Sequence, residues 1–132
     1  MFEFNKKYGF HDTAITDILL SDEKLSIFFP NGVYLLDENG KESVLTKSCR
    51  VDFLFNSYPD SSSDSVSIWF FGKRKKISID KFRKRLGKEK FEILFDYYSP
   101  FARSVLFKGY VGKISVDFIV DDISAVNFVF DD

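Results

Sequence analysis

Ile114-Ser115-Val116-Asp117-Phe118-Ile119-Val120 alternates apolar and polar side chains about as cleanly as a half-buried strand can. Successive strand side chains point to opposite faces of a sheet. Ile114, Val116, Phe118 and Val120 therefore share one face, against Ser115 and Asp117. Working outward, Gly109 and Gly112 mark a turn before this strand, with Val105 and Phe107 ahead of it. Asp121-Asp122 punctuates its end, and Val126, Phe128 and Phe130 close the chain against Asn127. Further upstream, Phe91, Ile93, Phe95 and Tyr97 fall on one face, with Glu92 and Asp96 on the other.

The same period runs through the N-terminal half. Leu25–Phe29 and Val33–Asp37 flank Pro30-Asn31-Gly32, and Asn-Gly between apolar runs predicts a hairpin because both residues tolerate positive φ. Asp37-Glu38-Asn39-Gly40 predicts a second turn leading into Ser43–Thr46. Cys49–Phe55 alternates Val51, Phe53 and Phe55 against Asp52, and Ser65–Phe71 is expected to return beside it. The Pro59–Asp64 stretch between them reads as a flexible hairpin loop, too short for a domain linker. Asp12–Leu20 fits a helical stripe or a strand with Ala14, Thr16, Ile18 and Leu20 on one face, and its β-branched content favours the strand.

One segment breaks the period. Asp80 as N-cap, Phe82 and Leu86 at i,i+4, and Gly87 as a left-handed C-terminal residue predict a short basic helix over 80–87. The expected fold is a single mostly β domain spanning residues 1–132. It is an antiparallel β-sandwich or partly open barrel of about nine or ten short strands with that one helix.

Composition narrows the chemistry. The chain holds 17 Phe but one His (His11), one Cys (Cys49) and one Trp (Trp69), so it is rich in packing area and poor in groups that react near neutral pH. A single Cys forms no intramolecular disulfide. One His and one Cys cannot supply a zinc site, which wants three or four protein ligands. Asp60-Ser-Ser-Ser-Asp64 lacks the mid-loop Gly and later bidentate Glu of a calcium loop. No phosphate-binding glycine loop or nucleophile elbow is present. His11-Asp12 is the one His–carboxylate dipeptide; adjacent strand residues would face opposite ways, which argues against a catalytic pair. No metal, cofactor or enzymatic activity is expected. Neither an apolar run long enough to span a bilayer nor a secretory h-region is present, so the expectation is a cytoplasmic protein of bacterial type with no membrane partner. Scarce Ala and absent Gln also fit an AT-rich genome, which accounts for part of the Phe excess.

The net charge of −1 hides a segregated distribution. Residues 73–90 carry ten cations against Asp80 and Glu89, leaving nine positive and eighteen negative charges elsewhere. Such a run is most often a solvated face, but it also suits an acidic partner, whether nucleic acid or protein. A small β domain struggles to bury 24 aromatic side chains. The candidate partner-binding residues are therefore Lys73, Arg74, Lys75, Lys76, Arg83, Lys84 and Arg85, together with Tyr97, Tyr98 and Phe101.

Phe10-His11-Asp12-x-x-Ile15-x-x-Ile18, followed by Leu25–Phe29 and Asn31-Gly32, resembles small uncharacterised bacterial β-rich proteins, some of which look like immunity proteins of toxin systems. The resemblance covers about the first 35 residues and carries over no site residues. It implies a stoichiometric binder that neutralises or regulates a partner protein, without catalysis. The alternative is a nucleic-acid-associated module using the basic 73–90 segment.

Overall fold

Alternating apolar residues build thirteen strands and one helix among the described residues, 7–56 and 65–131, of the computed structural model. The predicted loop at Pro59–Asp64 lies outside them. In chain order the elements are β1 (Tyr8–Gly9), β2 (Thr13–Ile15), β3 (Asp17–Leu20), β4 (Lys24–Phe29), β5 (Tyr34–Leu36), β6 (Glu42–Leu45) and β7 (Cys49–Phe55). There follow β8 (Val66–Phe70), β9 (Lys75–Ile77), α1 (Ile79–Leu86), β10 (Phe91–Ser99), β11 (Ser104–Val111), β12 (Ile114–Val120) and β13 (Ile123–Phe130). They form a six-stranded sheet β2-β10-β11-β12-β8-β9, a four-stranded sheet β13-β7-β4-β3 and a small sheet β1-β5-β6. All pairings are antiparallel and no sheet closes into a barrel, so the mostly β expectation holds, in its sandwich-like form.

The core lies between the two larger sheets. Phe107 of β11 meets Phe10 at 5.2 Å and Phe53 of β7 at 6.2 Å, and Phe10 also meets Phe29 of β4 at 5.3 Å. These edge and tilted ring contacts join the layers through fully buried side chains. Helix α1 lies on the inner side of the six-stranded sheet, next to β3. Phe82 reaches Phe91, Phe118 and Phe70 at 5.8, 5.6 and 6.4 Å. Its N-cap is Ser78, whose hydroxyl accepts from the Lys81 N–H; Asp80 sits inside the first turn instead. Gly87 ends the helix at φ −65°, right-handed, and its N–H donates to the Arg83 carbonyl.

Several sequence expectations are corrected by long-range pairing. The turn at Pro30-Asn31-Gly32 forms, with Gly32 at φ 81° and its N–H donating to Phe29 O, but it does not make a hairpin. Instead β4 pairs with β3 and β7 while β5 pairs with β1 and β6, so the turn is a corner between sheets. A Cβ on Gly32 would lie 2.3 Å from the Thr46 carbonyl oxygen, which fixes glycine there. The second turn does close a hairpin, β5–β6. Strand β8 does not return beside β7 but crosses to β12 and β9. Within Asp12–Leu20, Asp12 lies in a turn and the strand expectation holds for Thr13–Ile15 and Asp17–Leu20, which divide at Thr16 between the two large sheets. Ile15 and Ile18 are the buried pair, and Thr16 is exposed. These breaks raise the strand number above nine or ten.

The correction that shapes the surface is in β10. Phe91 and Ile93 face inward and are fully buried, but the register slips between Ile93 and Phe95. This β-bulge turns Phe95 and Tyr97 outward, 50% and 55% exposed, and leaves Tyr98 packed against the core. Gly109 is not in a turn; it sits within β11 opposite the bulge, where a Cβ would fall 1.8 Å from the Glu92 carbonyl oxygen.

Candidate functional site

Cross-strand register on the outer face of the six-stranded sheet aligns Phe95 with Lys108, Lys108 with Asp117, Asp117 with Trp69, and Trp69 with Lys76. A second row runs Tyr97, Leu106, Ile119 and Ser67, and Glu92, Tyr110 and Ser115 form a third. The face thus carries exposed Leu94, Phe95, Tyr97 and Tyr110, with Trp69, Leu106 and Ile119 half-buried. At its ends His11 meets the Phe95 ring edge-on at 5.5 Å, and Lys76 Nζ lies 5.9 Å from the Trp69 ring centroid. Between Phe95 and Tyr110 opens a cleft of about 150 Å³, lined also by Leu94, Lys108, Ser115 and Asp117. Asp117 is only 5% exposed, and its partner among the described residues is Lys108 Nζ at 3.7 Å.

The opposite sheet carries a second buried aspartate in the same position, and the contrast is instructive. Asp52, 4% exposed, accepts from Ser26 Oγ at 2.7 Å and Arg50 Nε at 3.0 Å, with Lys24 Nζ at 3.4 Å. Burial pushes its pKa up, but the hydrogen bonds from Ser26 and Arg50 and the nearby cations outweigh that and hold it below the ordinary carboxylate value. Asp52 is a saturated structural site. Among the described residues Asp117 has no such set of donors.

The basic residues are all exposed and spread over three elements. Lys73 and Arg74 occupy the β8–β9 turn, Lys75 and Lys76 lie on β9, and Lys81, Arg83, Lys84 and Arg85 project from α1. Arg83 makes a two-point pair with Asp17, Nε–Oδ1 3.1 Å and Nη2–Oδ2 3.3 Å, and lowers the Asp17 pKa. Both groups are well exposed, so this pair contributes little stability. Lys73, Arg74, Lys75, Lys81, Lys84 and Arg85 form no ion pair among the described residues. Because α1 covers the inner side of the sheet, its cations and the aromatic outer face are separated by the thickness of that sheet. Of the basic candidates, the structure brings Lys76 onto the aromatic outer face, while Arg83, Lys84 and Arg85 stay on the other side of the sheet. Of the aromatic candidates, Tyr97 is on the outer face, Phe101 stands 94% exposed at the β10–β11 turn, and Tyr98 points to the core.

His11 and Asp12 do pair, Nε2–Oδ2 at 3.2 Å, because both lie in a turn with Asp12 at φ 60° and not in a strand. Among the described residues no hydroxyl or thiol bonds to that imidazole. Cys49 is buried in β7, where burial and the Asp131 charge push its thiol up to about 11, far from a reactive thiolate. No group of three or more His, Cys, Asp or Glu among the described residues could hold a metal. No helix among them is long and apolar enough to cross a membrane. Asp121 is pushed above the ordinary carboxylate value by burial and then by Asp122. Sequence reading passed over Leu94, Lys108 and Asp117; the signal for them was Gly109, a glycine inside an alternating run, which marks a bulge or close approach.

Comparison with known proteins brings no match: no family model, no curated protein and no solved structure resembles the chain.

Proposed function

We propose that this chain is a non-catalytic protein-binding module that engages one partner protein through the outer face of its six-stranded sheet, neutralising or regulating it stoichiometrically in the bacterial cytoplasm. The observation that carries this reading is the bulge in β10, which places Phe95 and Tyr97 half exposed beside Leu94 and Tyr110 on a sheet face that no other described element covers. Exposed aromatic residues on a sheet face, with Lys76 and Glu92 at its margins, match the composition of interface cores and rims.

The second reading, a nucleic-acid module, is favoured by the exposed cations Lys73, Arg74, Lys75, Lys81, Lys84 and Arg85, which form no ion pair among the described residues, and by the Lys76–Trp69 contact. It is weakened by the separation of α1 from the aromatic face, since stacking platforms and phosphate contacts must share a groove.

Affinity purification from the native host tests the two together. The wild-type chain is compared with Phe95→Ser/Tyr97→Ser and with a variant carrying Glu at Lys73, Arg74 and Lys75. Retention of one protein at equal stoichiometry by the wild type and the charge variant, with loss in the aromatic variant, is the expected result. Retention that survives the aromatic change, or disappears with nuclease or moderate salt, overturns the protein-binding reading.

A further inference from the structure

Asp117 is a buried carboxylate that accepts no hydrogen bond from a side chain among the described residues. An ionised carboxylate offers about four acceptor sites, and burial without donors is costly. Its partner among the described residues, Lys108 Nζ, stands at 3.7 Å, beyond hydrogen-bond distance, on a flexible stem that is itself half exposed. The carboxylate lines a cleft walled by Phe95 and Tyr110 that opens to solvent. An apolar slot with two aromatic walls and a buried anion is complementary to a planar, weakly hydrated cation.

The chain shows which group saturates an aspartate placed this way. On the other sheet Asp52 receives Arg50, two residues earlier on the same strand, with Ser26 across the ladder. At the corresponding positions Asp117 has Ser115 two residues earlier, and Lys108 and Trp69 across the ladder. The missing donor is a guanidinium. We infer that the Phe95–Tyr110–Asp117 cleft receives an arginine side chain of the partner protein, its guanidinium bonded to Asp117 and its plane against the aromatic walls. This rests on the docking reading above and names the anchor of that interface. Lys108 competes for the same carboxylate and is displaced toward solvent.

The probes are acetyl-Gly-Arg-Gly-amide and its citrulline analogue, which keeps the shape and loses the charge. Binding is followed by NMR shifts of the Asp117 and Tyr110 amides and the Trp69 indole. The expected result is saturable shifts with the arginine peptide, half-complete on the order of millimolar, and at least about tenfold weaker binding of the citrulline peptide. Asp117→Asn, folded by circular dichroism, should abolish the difference between peptides, whereas Lys108→Met should tighten arginine binding. Equal shifts with both peptides, no saturable shift, or wild-type binding by Asp117→Asn each overturn the inference. These failures are separable from that of the docking reading. A partner lost on Phe95→Ser/Tyr97→Ser while the peptides do not bind leaves the face standing and removes the arginine anchor.

Discussion

Gly109→Ala tests the bulge directly. The added methyl would lie 1.8 Å from the Glu92 carbonyl oxygen, 2.8 Å from its carbon and 3.0 Å from the Ile93 Cα. All three are backbone atoms of the neighbouring strand, so no side chain can rotate away. A carbon–oxygen contact needs more than 3 Å, and β10 and β11 must therefore part by over 1 Å where Phe91 and Ile93 enter the core. Overpacking in a well-packed site costs about 1–3 kcal/mol, and a clash with fixed backbone belongs at or above the top of that range. With an unfolding entropy of about 2.1 cal/mol/K per residue, a chain of this length loses about 10 °C in melting temperature for 3 kcal/mol. Gly40→Ala is the control. Gly40 has φ 78° but nothing within 4 Å of a new Cβ, so it should lose only about 1 kcal/mol from backbone strain. Urea and thermal denaturation of both variants give the comparison. If Gly109→Ala loses no more than Gly40→Ala, the strands do not approach as closely as described, and the outward placement of Phe95 and Tyr97 loses its cause.

Phe82→Ala removes the fully buried ring that ties α1 to Phe91 and Phe118, and should cost about 3–5 kcal/mol by urea denaturation. Ser78→Ala should cost about 1 kcal/mol through the lost N-cap, and more than Asp80→Ala, which reverses the order that sequence reading assigns. The Asp52 carboxyl binds its proton less readily folded than unfolded, so its contribution is complete above the ordinary value of 3.8 and is lost as pH falls below it. Asp52→Asn should therefore be less stable than wild type at pH 7, with the gap narrowing at pH 3 in parallel urea titrations; a gap that stays constant refutes the assignment.

The alternation that exposes a strand in sequence reports which residues can share a face, not which face is buried or which strand lies alongside. Val116, Phe118 and Val120 are inward as their spacing requires, and Phe82 and Leu86 are buried as the helical stripe requires. In both cases the information is local. The turn at Asn31-Gly32 was equally legible as a turn, but its flanking strands choose partners far along the chain, and a type of turn cannot specify that. Phe95 and Tyr97 failed for a related reason. Period two is preserved on each side of the bulge, but one extra residue inverts every side chain beyond it. The basic residues were legible as exposed, while the separation of the α1 cations from the aromatic face depends on which side of the sheet α1 covers.

The two large sheets place an aspartate at the same structural position and treat it differently, and the difference traces to single residues. In β7 an arginine precedes Asp52 by two, and a serine hydroxyl arrives from β4, so the carboxylate is closed off within the chain. In β12 the residue two before Asp117 is Ser115, and the cross-strand neighbours are a lysine and a tryptophan, neither within hydrogen-bond distance among the described residues. The outer face of one sheet is thereby self-sufficient, whereas the other keeps an anion under aromatic walls. Ser115→Arg would transplant the Arg50–Asp52 arrangement onto the second sheet. A buried charge gaining a charge-assisted hydrogen bond stabilises by about 1.5–3 kcal/mol, and the same side chain would occupy the cleft. Higher stability together with lost binding of the arginine peptide would link the two faces through one chemistry. Higher stability with undiminished binding would show that the peptide sits elsewhere.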